Sequence, residues 1–158
     1  MAIAPRIAEV VRFAGGWLFD QVMAGWDVTV LTSDHGDARP LRILGARAAD
    51  LEAALARPVQ GPCLQAIAVR ADLFGSDVRV RRMVLGLGEG RADVRLFGDE
   101  WPDGADGTDG PVWHQLSVAA RAFKVQALAA AAAPVDSCAS AEEFRTSGIS
   151  PASPVPAR

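Results

Sequence analysis

Asp34, His35, Asp37 and Arg39 crowd into one short polar stretch, SDHGDARP at 33–40, the tightest group of chemically capable side chains in the chain. Two carboxylates and an imidazole could hold a divalent metal. Alternatively, a carboxylate could orient His35 as a general base. With Arg39 beside them, a phosphate-bearing or other small polar ligand is a further option. The same residues are also what a tight turn uses, since Asp side chains bond the local backbone and an Arg can pair with one of them at the surface. No second cluster supplies an obvious partner, apart from an acidic loop further on.

That loop, GDEWPDGADGTDGPV at 98–112, carries Asp99, Glu100, Asp103, Asp106 and Asp109. It resembles a calcium loop in composition only. A ligand register starting at Asp99 fails at Trp101, and one starting at Asp103 meets Ala105 and Gly107. The glycine run GLGEG at 86–90 is followed by Arg91 and a strand-like segment, so it is neither a dinucleotide fingerprint nor a P-loop. Cys63 follows Gly61-Pro62 and could start a helix, where a thiolate would be stabilised. No G-x-S-x-G elbow is present. Two cysteines and two histidines, widely scattered, make no zinc spacing, and neither a metal nor a cofactor is expected.

The elements that must carry these groups follow from periodicity. Residues 5–24 read as a helix, with Ile7, Val10, Val11, Ala14, Trp17, Leu18 and Val22 at helical spacing and Gly25 as its stop. Asp27 to Ser33 reads as a buried strand. The short polar turn then predicts an antiparallel hairpin onto a strand at Leu41–Leu44. Ala46 to Arg57 reads as a helix ended by Pro58, and Leu64–Phe74 as another. A helix over 76–87 is preferred to a strand because the alternation fails at Arg81-Arg82-Met83. Arg91–Phe97 reads as a strand, and 113–133 as an Ala-rich final helix. From 134 to 158 the chain is rich in Ser, Pro and Ala, and is expected to be a disordered tail. The expected fold is a small α/β or α+β domain over 1–133, a three-stranded sheet packed with about five helices.

Composition narrows the function classes. The chain has 158 residues, 22% of them charged, and a formal net charge of −3. That balance argues against a nucleic-acid surface, although the helices at 64–74 and 76–87 with their arginines imitate a helix-turn-helix in outline. No apolar run reaches the ~18 residues of a membrane span. The N-terminal segment, interrupted by Arg6, Glu9 and Arg12, lacks a signal-peptide core, which predicts a cytoplasmic protein.

A three-stranded sheet beside so much helical apolar surface would not close its own core. The large apolar residues Phe13, Trp17 and Phe19, with Trp101 and Trp113 flanking the acidic loop, are therefore expected to contact a second copy or another protein. The leading expectation is a non-catalytic interaction or regulatory domain. The rival is a small-ligand, phosphate- or metal-binding domain or enzyme built on the 34–39 turn.

Overall fold

The computed structural model describes residues 1–57, 64–88, 92–101, 110–135 and 139–146. In chain order the elements are β1 (Ala2–Ile3), α1 (Ile7–Met23), β2 (Thr29–Thr32), α2 (Arg39–Ile43), β3 (Arg47–Asp50), α3 (Leu51–Leu55), β4 (Ala66–Arg70), α4 (Ala71–Ser76), α5 (Val78–Gly88), β5 (Asp93–Phe97), β6 (Pro111–Gln115), α6 (Val118–Ala130) and β7 (Ala141–Thr146). The strands form one seven-stranded sheet in the order β3-β2-β1-β4-β5-β7-β6. β1 to β5 run parallel. β7 adds antiparallel to β5, and β6 antiparallel to β7.

The central strands are buried on both faces, and residue alternation shows how. Ala2, Ala4, Val30, Ala68, Phe97 and Phe144 pack with α1, α2 and α6. Ile3, Leu31, Ile67, Val69 and Leu96 pack with α3, α4 and α5 on the other side. A central parallel strand covered on both faces has no polar side to show, so its sequence is a continuous apolar run.

This architecture corrects the expected three-stranded sheet. Leu41–Leu44 is not a strand. Pro40 sits in the first turn of α2, and α2 belongs to a crossover that makes β2 and β3 parallel neighbours rather than a hairpin. The helix expected over 46–57 is instead β3 followed by α3, with Asp50 capping α3 through the Ala53 N–H at 2.6 Å. Ala and Arg are poor strand formers, and β3 is an exposed edge whose burial gives no alternation to read. The helix expected over 64–74 splits into β4 and α4, because Ile67 and Val69 face one layer and Ala68 the other. With 66–70 in a strand, the helix-turn-helix outline disappears. Residues 111–115 form β6, and the last helix starts only after Ser117, whose hydroxyl accepts the Ala120 N–H. The segment expected to be a tail supplies β7.

One buried polar cluster joins these late elements to the first helix. Glu142 of β7 and Lys124 of α6 are both almost fully buried and meet at 2.6 Å. The Glu142 carboxylate also accepts the backbone N–H groups of Gly16 and Trp17, each at 2.8 Å, in the middle of α1. Burial pushes the Glu142 carboxyl upward, while Lys124 and the two N–H donors pull it back. Gly16 is required beside it, since a methyl group there would overlap Leu116. A second tie uses Asp20 of α1, which meets His114 Nε2 at 2.9 Å and accepts the Ser117 N–H at 3.2 Å.

Removing one partner of a buried pair leaves an uncompensated charge, so Lys124→Met is expected to lose about 3 kcal/mol in urea unfolding. The double variant Lys124→Met, Glu142→Leu is expected to recover part of that loss, because no unpaired charge is left buried. Burial pushes the Asp20 carboxyl up, but the bonds from Ser117 and His114 outweigh it and leave it below its ordinary value. A carboxylate lowered in the fold contributes stability above its unfolded pKa and loses it as pH falls through the folded value. Asp20→Asn is therefore expected to lower stability by about 1 kcal/mol at neutral pH, a difference that shrinks as pH falls below the ordinary carboxylate range, measured by unfolding across pH.

Candidate functional site

In an open α/β sheet, ligands gather beyond the carboxyl ends of the strands, where the order of connections reverses. Here β2 and β3 lie on one side of β1, and β4 and β5 on the other, so the reversal falls between β1 and β4. The polar residues that end these strands meet at this edge. Thr32 and Asp34 follow β2, Asp50 ends β3, Arg70 ends β4, and Asp99 follows β5.

Thr32 is buried; its hydroxyl donates to the Pro5 carbonyl at 3.0 Å and accepts the Asp34 N–H at 3.1 Å. That pair turns the chain so that Asp34 reaches α1. Its carboxylate accepts the Ile7 N–H at 3.2 Å and the Gly36 N–H at 2.9 Å. Asp34 is thus an internal anion on the first N–H of α1, where a ligand phosphate would otherwise bind. His35 lies outside it, 76% exposed, with Nε2 at 3.5 Å from Asp50 Oδ2. Thr32, Asp34, His35 and Asp50 line a shallow pocket of ≈ 200 Å³, together with Ile7 and Ala49.

The expected cluster is therefore split. Asp34 and His35 reach the pocket. Asp37 and Arg39 do not: Asp37 accepts the Arg39 backbone N–H at 2.8 Å and pairs with Arg42 at 3.6 Å, both side chains exposed. Thr32 and Asp50 were missed, the first because it read as strand interior, the second because it read as helix.

Next to the pocket, at the point of reversal, Arg70 is held by three carboxylates. Asp72 is at 2.8 Å, Asp99 at 2.9 Å and Glu9 at 3.4 Å. Its guanidinium also lies 5.3 Å from the Phe13 ring centroid. Burial works against the Arg70 charge, but the bond to Asp72 and the charges of Glu9, Asp72 and Asp99 outweigh it and raise its pKa. The carboxylates around this edge outnumber its cations. Among the described residues no three His, Cys, Asp or Glu side chains come together as a metal site.

The residues expected at an interface fall in several environments. Trp17 and Phe19 are buried within the chain, Trp17 against the Phe144 ring and Phe19 stacked on Phe123. Phe13 lies under Arg12 and Arg70, and Trp101 under Arg145. Trp113 is exposed on the edge strand β6. Cys63, Cys138, Asp103, Asp106 and Asp109 lie outside the described residues. Among the described residues no helix is long and apolar enough to cross a membrane.

No family model matches the chain, and no curated protein does. Among solved structures, the chain is similar to the crystal structure of the antimicrobial reagent A40926 pseudoaglycone deacetylase Dbv21, with a TM-score of 0.54 and 16% identity over 81% of this chain and 78% of that one. The expectation of a non-catalytic interaction domain is corrected on two grounds. Its premise, a sheet too small to close its core, fails against a seven-stranded sheet whose central strands are covered on both faces. The solved structure that the chain resembles is also an enzyme, although at this identity the likeness establishes a shared fold and no more.

Proposed function

We propose that the chain is a small-molecule enzyme whose site is the carboxyl edge of the parallel strands, centred on the pocket of Thr32, Asp34, His35 and Asp50. The observation that carries this reading is the convergence of strand-end polar residues at the carboxyl ends of β2 and β3, on one side of the point of strand reversal. The same edge favours a neutral or hydrogen-donating ligand. Asp34 already occupies the first N–H of α1, and the surrounding carboxylates repel a phosphate.

Hydrolysis of an N-acyl bond is the reaction class to test first, since the enzyme that shares the fold is named as a deacetylase. In that chemistry His35 takes a proton from water, with Asp50 steadying the imidazolium. The hydroxide adds to the acyl carbon, the C–N bond breaks, and the proton passes to the departing amine. Amide and water become carboxylic acid and amine.

Incubating the chain with a panel of N-acetylated amines, and measuring released acetate, tests the proposal. His35→Ala is expected to lower the rate about 100-fold, with Asp50→Asn showing a smaller loss. Unchanged turnover in His35→Ala, or no release from any panel member, would remove it. Arg70→Met, which leaves three carboxylates facing one another, is expected to cost about 3 kcal/mol of stability in urea unfolding.

A further inference from the structure

At the opposite, amino-terminal edge of the sheet lies a larger cavity of ≈ 280 Å³, between the end of α1 and the starts of β2 and β4. Trp17, Gln21, Trp26, Asp27, Leu64 and Gln65 are among the residues that line it. Trp17 is fixed from behind, its ring tilted against Phe144 at 5.5 Å. Trp26 is 48% exposed. Gly25, at φ +90° with open space where a side chain would be, turns the chain out of α1 and sets Trp26 at the cavity wall.

The polar lining is sparse and specific. Gln21 and Gln65 each bring a side-chain amide, and among the described residues neither amide has a hydrogen-bond partner. Each can donate and accept at once. Two charges line the cavity: the Asp27 carboxylate, which Arg47 offsets at 3.6 Å, and the Met1 terminal ammonium, which donates to the Ala66 carbonyl at 2.9 Å. No Lys or Arg side chain lines the cavity, and the Met1 ammonium is already engaged by the Ala66 carbonyl.

We propose that this cavity binds an uncharged, flat heteroaromatic ring that carries N–H donors and ring-nitrogen acceptors at its rim. The indole of Trp26 suits a stacked or tilted ring, with the buried Trp17 forming the wall behind it, and the two amides read its edge. A cavity of about 150 Å³ holds a benzene ring, so this one has room for a fused bicycle. The site lies at the other end of the strands from the Asp34–His35–Asp50 pocket and does not depend on the activity proposed there.

Ligand-observed NMR with adenine and 2-aminobenzimidazole, and with glucose as the polyol control, tests the assignment on the full chain. Both rings are expected to bind saturably and glucose not to bind. Trp26→Ala is expected to abolish binding. Gln65→Leu, at an exposed position that the fold does not need, is expected to weaken it about tenfold. His35→Ala is expected to bind both rings as the parent chain does. Failure of the parent chain to bind either ring at about 10 mM overturns the proposal. Equal binding by the Trp26→Ala and Gln65→Leu variants, or a preference for glucose, overturns it as well.

Discussion

The Glu142 carboxylate is the point on which the two halves of this sheet depend. The parallel strands β1 to β5 are formed by the first part of the chain, and the antiparallel pair β6 and β7 is added later, with α6 between them. Glu142 ties β7 to two other elements at once, through Lys124 of α6 and two backbone N–H groups in the middle of α1. A buried carboxylate is tolerable only when its lone pairs are filled, and here a cation and two amides fill them. The constraint reaches back to Gly16, which must stay small for α1 to lie against Leu116 beside the pair.

With α1 fixed from behind, its N-terminal turn is presented to the carboxyl edge of the sheet. Asp34 meets it there and accepts its first free N–H. The same turn carries Glu9, which faces Arg70 at the end of β4. The charge of Arg70 is balanced by residues from α1, from α4 and from the segment after β5, so this edge is organised by one guanidinium and several acids. What remains outward-facing is His35 with Asp50, and an imidazole beside a carboxylate over a small pocket is the arrangement acid–base chemistry uses.

The sequence disclosed the strongly periodic parts of this fold and hid the weakly patterned ones. α1, β2, α5 and β5 are legible because Ile7 to Leu18, Val30-Leu31, Val80 to Val84 and Leu96 report burial on a clear period. β4 was hidden because Ala66 to Arg70 is too short and too evenly apolar for a period of two to be told from one of 3.6. β3, an exposed edge of Arg-Ala-Ala-Asp, carries no burial signal, and β1 is two residues long. β7 was masked by its Ser-, Pro- and Ala-rich surroundings, although Glu142 and Phe144 do alternate inward. At the site, Asp34 and His35 were legible from clustering. Asp50, Arg70 and Glu9 were not, because they come together only through the parallel strand order.

Chemical-shift mapping with the panel of N-acetylated amines tests most directly whether the carboxyl edge is where this protein meets its ligand. Perturbed amides are expected to cluster at Thr32 to Gly36, at Asp50 and around Ile7. Perturbations confined to the amino-terminal edge, or none at saturating ligand, would contradict that placement.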